Sequence, residues 1–136
     1  MYKEFQELLN ISERIGNNPK YCVLSGGNTS LKKDGMIYIK GSGQKLADAN
    51  KKPIFVELKI EENNMIGEVN KINLPKVIND NIKPSIELFL HKNLPHKFII
   101  HSHPIDIIAM TVSKEISLNI LKKLKNFSYT KLPYIE

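Results

Sequence analysis

Residues 98–104 read Phe98-Ile99-Ile100-His101-Ser102-His103-Pro104, an apolar run that ends in two imidazoles one residue apart. Lys97 to His101 has the character of a central strand, and Pro104 suits the first turn of a helix predicted to run through Met110. On a strand, residues i and i+2 face the same way, so His101 and His103 converge while Ser102 turns aside. Neutral imidazole suits zinc, and a catalytic zinc takes three protein ligands with one position left open. Two histidines are half of such a site. A His-x-His near a turn at the edge of a core needs no metal, so the pair alone does not choose.

Upstream of that stretch, Phe5, Leu8, Leu9 and Ile15 recur at helical spacing and predict a helix over Glu4 to Ile15, stopped by Gly16-Asn17-Asn18-Pro19. Tyr21 to Leu24 reads as a short strand, Ser25-Gly26-Gly27-Asn28 as a tight turn, and Gly35 to Lys40 as a second strand ended by Gly41-Ser42-Gly43. Ile54 to Leu58 is a third β-rich run, with Glu61-Glu62-Asn63-Asn64 beyond it as a hairpin loop. Ser85 is placed to cap a helix from Ile86 to His91. Downstream, Ile116 to Leu124 suggests another helix and Tyr129 to Ile135 an extended segment. Nothing after that segment covers it, so the chain is expected to be cut short at its C-terminus.

Length and composition set outer bounds. A chain of 136 residues fits one domain over 1–136, and 41% hydrophobic with 25% charged residues is ordinary for a globular protein. No apolar stretch approaches a membrane span, and Glu4 and Glu7 stand where a signal peptide would be basic and apolar, so a cytoplasmic location is expected. The single cysteine, Cys22, allows no internal disulfide and reads as a small apolar filler. The formal charge of +6 comes from scattered lysine pairs such as Lys32-Lys33 and Lys122-Lys123, with Arg14 the one arginine. Neither interleaved aromatics nor a nucleic-acid motif accompanies them, so no nucleic-acid partner is expected. A modest positive field still favours small anions.

Several groups have chemistry to offer. The two turns Gly26-Gly27-Asn28-Thr29-Ser30 and Lys40-Gly41-Ser42-Gly43 are plain β-turns or, taken together, a cradle of N–H groups and hydroxyls for an anion, with Lys40 as a point charge. Neither matches a P-loop or dinucleotide fingerprint. Glu87 stands in the first turn of the helix after Ser85, flanked by Ile86, Leu88, Phe89 and Leu90. It is either a dipole-stabilised helix start or a carboxylate poised by apolar surroundings for proton transfer. His91 and His96 are spare imidazoles.

Taken in order, these pieces resemble the class II aldolase/adducin family, most closely the branch related to the aldolase part of predicted bifunctional rhamnulose-phosphate aldolase/dehydrogenase proteins. The residues that carry the resemblance are Gly26-Gly27-Asn28-Thr29-Ser30-Leu31-Lys32, Ile39-Lys40-Gly41-Ser42-Gly43 with Leu46-Ala47-Asp48-Ala49, Lys83-Pro84-Ser85-Ile86-Glu87 through His91, His101-Ser102-His103-Pro104, and Leu132-Pro133-Tyr134. The resemblance implies an αβα layered α/β fold with a mostly antiparallel central sheet and helices on both faces. It also implies a divalent metal, usually Zn2+, on His101 and His103, with Glu87 as acid/base beside it. Asn28, Ser42, Gly43 and Ser85 would then line the pocket for the substrate's phosphate or an equivalent anion.

The activity implied is retro-aldol cleavage of a sugar phosphate or similar hydroxy-carbonyl compound through a metal-stabilised enediolate, by a homo-oligomer, a tetramer in the family. Family members draw a third metal-binding histidine from a later strand, and no histidine follows His103 here. Completing the site would therefore need His91, His96, Glu87 or a partner polypeptide. The alternative is a catalytically inactive or split-enzyme fragment of the same fold that serves as a binding or assembly module.

Overall fold

The computed structural model describes residues 2–60, 66–67 and 81–112. Met1–Ile105 and Asp106–Glu136 form two compact units. The first opens on α1 (Tyr2–Gly16), whose Phe5, Leu8 and Leu9 are buried along one stripe, as three- and four-residue spacing dictates. The helix ends at Gly16, where the chain passes too close for a side chain. A Cβ on Gly16 would stand 2.1 Å from the backbone N of Ala47, in the single 3-10 turn Leu46–Asp48.

Strands β1 (Asn28–Lys33) and β2 (Met36–Lys40) form a hairpin around Asp34-Gly35. Both turn residues have positive φ, 50° and 75°, the twist a two-residue connection needs between strands of right-handed twist. With β3 (Phe55–Ile60), β4 (Ile66–Gly67) and β5 (Phe98–His101) they make one sheet in the order β4-β3-β2-β1-β5, antiparallel at every pairing. Two further helices are α2 (Leu88–Asn93) and, starting at the last residue of the first unit, α3 (Ile105–Val112).

The predicted strand over Tyr21 to Leu24 is absent, and the first strand lies in the polar stretch that follows. The Cys22 N–H bonds the Asn18 carbonyl, the Gly26 N–H bonds the Val23 carbonyl, and Leu24 sits at φ 54°, so this segment is a chain of turns. Cys22 is nonetheless buried filler: a Cβ on Gly27 would meet its Sγ at 2.5 Å. The predicted loop Glu61-Asn64, helix Ile116–Leu124 and segment Tyr129–Ile135 lie outside the described residues.

Each face of the sheet carries a helix, as expected of the layered fold. On one face Phe5 packs edge-on against Tyr38 (centroids 5.2 Å apart) and Phe55 (5.8 Å), joined by Leu8, Leu9, Leu31, Ala49 and Ile54. Such aromatic pairs add about 0.5–1.5 kcal/mol each beyond their area burial. Thr29 shares this face and donates to Ser12 Oγ at 2.7 Å, since Ser12 spends its own proton on the Leu8 carbonyl. On the opposite face Ser30 Oγ meets His91 Nδ1 of α2 at 2.7 Å. His91 is fully buried, and loss of water around the ring pushes its pKa down to about 4 against the pull of Glu87.

Two outcomes follow from this packing. Gly16→Val drives a side chain into the Leu46–Ala47 backbone and is expected to cost about 1–3 kcal/mol, read as a lower denaturation midpoint with an unchanged m-value. His91 is neutral in the fold until about pH 4 but takes a proton near its ordinary 6.5 when unfolded. The unfolded chain therefore binds more protons between those values, and stability falls as pH is lowered through them, on the order of 3 kcal/mol in total. Urea titrations of His91→Gln should show a flatter pH slope across that window; an unaltered slope removes His91 as its source.

Candidate active site

β5 ends at His101, so the strand alternation expected to align His101 with His103 does not extend to the second histidine. His103 is held instead by the neighbouring segment, its N–H donating to the Tyr21 carbonyl at 2.8 Å, followed by Ile105 N–H to the Lys20 carbonyl at 3.2 Å. The two rings still converge, with centroids 4.7 Å apart at 60°. Gly26 makes room for this: a Cβ there would stand 3.1 Å from His103 Nδ1.

The third group comes from the segment before α2. Its predicted start at Ile86 is two residues early, for the helix begins at Leu88 with Glu87 as its cap residue. Ser85 still acts on the helix start: its Oγ accepts the Glu87 N–H at 3.3 Å and its carbonyl accepts the Leu88 N–H at 3.0 Å. That turn leaves Ile86 93% exposed and brings Glu87 Oε1 to 2.8 Å from His101 Nδ1. The Nδ1 atom, although this close, makes no aligned hydrogen bond among the described residues, and Glu87 Oε2 is likewise buried without a partner. Glu87, His101 and His103 each offer a donor atom, and these lie within 4.8 Å of one another. Two imidazoles and a carboxylate, with polar atoms left unsatisfied, fit a divalent cation.

The expected anion residues fall into two groups. Asn28 opens β1 directly opposite His101 on the same sheet face, fully buried, with neither Oδ1 nor Nδ2 partnered among the described residues. Ser42 and Ser85 flank the Gly41–Pro84 bridge, where the Ser42 N–H bonds the Lys83 carbonyl at 2.8 Å and the Ser85 N–H bonds the Lys40 carbonyl at 3.2 Å; Gly43 follows in the same turn as Ser42. Gly43 adopts φ 72°, a conformation that favours glycine. Of the spare histidines, His91 is tied to Ser30 and His96 is exposed. The sequence offered no cue to the Tyr21 carbonyl, because a backbone acceptor is indifferent to side-chain identity.

Comparison with known proteins bears on the family and the fold. Over 126 residues the chain is 33% identical to the uncharacterized oxidoreductase YuxG of Bacillus subtilis (strain 168), a match that covers 79% of this chain and 18% of that protein. It is 34% identical over 98 residues to the L-fuculose phosphate aldolase of Methanococcus vannielii, covering 68% of this chain and 45% of that one. The chain thus spans less than half the length of these relatives. The solved structure of the N-terminal class II aldolase domain of a conserved protein from Thermoplasma acidophilum superposes with a TM-score of 0.70 at 28% identity, over 93% of this chain and 67% of that one. The profile of the class II aldolase and adducin N-terminal domain matches residues 6–136, and the chain belongs to that family.

Proposed function

We propose that this chain is a metal-dependent aldolase-type lyase that cleaves a sugar phosphate or a similar hydroxy-carbonyl compound. The observation that carries the reading is the convergence of Glu87, His101 and His103, with Asn28 alongside. His101 and His103 would hold a divalent cation, Zn2+ by the nitrogen-rich character of the donors, and Glu87 would contribute an oxygen where the family resemblance implies a third imidazole. When bound, the cation supplies positive charge that polarises substrate oxygens and stabilises the negative charge developing on them.

This chain's own groups do the rest. Glu87 has one oxygen beside His101 and a second that is unpartnered among the described residues. One would serve the cation, and the other takes the hydroxyl proton as the carbon–carbon bond breaks and returns a proton to the carbanion carbon of the other fragment. Ser42, Gly43 and Ser85 bind the substrate's phosphate, and Asn28 orients the polar end beside His101. Fixing both ends places the bond to be broken against Glu87, where misplacement by an ångström is costly.

The rest of the reading is wider. The family match from residue 6 to 136 supports one domain over 1–136. No helix among the described residues is long and apolar enough to cross a membrane. Ile86 before α2 and Phe89 and Leu90 within it stand exposed, which accords with assembly as a homo-oligomer, a tetramer as in the family. The inactive or split-enzyme module is the second reading. It is favoured by a donor set that holds two imidazoles and no third among the described residues.

Cobalt(II) titrated into the protein should give visible absorption that saturates at one ion per chain, and a His101→Ala/His103→Ala double variant should lose it. Loss of turnover of phosphorylated ketoses to an aldehyde in that same variant is expected to accompany it, while Glu87→Gln, which keeps both imidazoles, should weaken cobalt binding and, at saturating metal, lower turnover by about 10²–10⁴-fold. Metal binding without turnover in the unaltered chain would leave the binding-module reading standing, and absence of both would remove the lyase.

A further inference from the structure

We infer that Lys40 is a positioning residue that holds the anion-binding segments in register and gives the pocket its positive charge. The inference rests on the proposed anion pocket. Lys40 is 3% exposed, yet its ammonium has no carboxylate within ion-pair distance among the described residues. Its Nζ donates instead to the Ser25 carbonyl at 2.7 Å and the Gln44 carbonyl at 2.8 Å, while its own carbonyl accepts the Ser85 N–H at 3.2 Å. One residue therefore touches three separate segments: the turn that leads through Gly26 and Gly27 to Asn28, the turn Gly41 to Gln44 that carries Ser42 and Gly43, and the segment at Ser85. Every proposed anion residue lies in one of these segments.

The chemistry follows from burial. Removing an ammonium from water is costly unless it is paired, and two neutral carbonyls repay only part of that. Burial accordingly lowers the proton affinity of Lys40, with the Glu87 carboxylate opposing the shift. A bound phosphate supplies the missing negative charge, so the clasp is strained by its own charge until an anion arrives. The role is one of placement and field, and Lys40 is given no part in proton transfer.

Inorganic phosphate is the probe, titrated into the full chain, Lys40→Met and Lys40→Arg, with cobalt(II) absorption recorded on each. Phosphate affinity should fall about tenfold or more in Lys40→Met and recover largely in Lys40→Arg, while the cobalt spectrum is unchanged in both. Phosphate affinity left intact in Lys40→Met overturns the inference, as does a parallel loss of cobalt and phosphate binding. Should Lys40→Met not fold, amide resonances of the unaltered chain decide: Asn28, Ser42, Gly43 and Ser85 should shift along one saturation curve, and a response confined to one turn overturns the coupling. A chain that binds no phosphate at all overturns the anion pocket itself, whereas binding that ignores Lys40 overturns this inference alone.

Discussion

The structure turns on a polar strand buried at the sheet's interior. β1 lies between β2 and β5, and its first three residues, Asn28, Thr29 and Ser30, are fully buried where a core strand would ordinarily be apolar. Burying hydroxyls and an amide costs free energy unless each finds a partner. Thr29 finds Ser12 of α1 and Ser30 finds His91 of α2, so one strand fixes both helical layers through hydrogen bonds of 2.7 Å. Asn28 has no such partner among the described residues, and it is the one that faces His101. The same run of three residues thus ties both helical layers to the sheet and sets Asn28 beside His101.

The candidate site gathers at the ends of elements. His101 is the last residue of β5, Asn28 the first of β1, and Glu87 the cap of α2. At such places the backbone stops repeating and side chains from different elements can meet at one point. Small residues make that meeting possible. Gly26 admits the His103 ring, Gly27 admits Cys22, and Gly41 admits Ile82, each where a Cβ would fall at 3.1 Å or closer to its neighbour. The hydrogen bond from His103 to Tyr21 then does what strand alternation was expected to do, because β5 ends before the alternation reaches it.

Charge is distributed to match. Glu4 bonds both Lys33 and Lys97, which holds its carboxyl well down at about 2 and ties α1 to the ends of β1 and β5. Lys40, by contrast, has carbonyl partners only among the described residues. The Glu4 pairs tie elements together at the periphery, whereas Lys40 Nζ holds the Ser25 and Gln44 carbonyls inside the fold.

The sequence by itself determined the amphipathic α1, the strands at Met36–Lys40, Phe55–Ile60 and Phe98–His101, and the residue types able to bind a cation and an anion, because apolar periodicity and side-chain chemistry are local properties. The Asp34-Gly35 turn signal was also present at the end of β1. The composition Asn-Thr-Ser nevertheless reads as loop, and only the partners Ser12 and His91, 17 and 61 residues away, make it a buried strand. Tertiary structure alone decided that Glu87 meets His101 at 2.8 Å, that His103 is held by a distant carbonyl, and that Lys40 joins three segments. Those contacts join positions far apart in the chain, and their existence depends on sheet register and backbone hydrogen bonds that no short window of residues encodes.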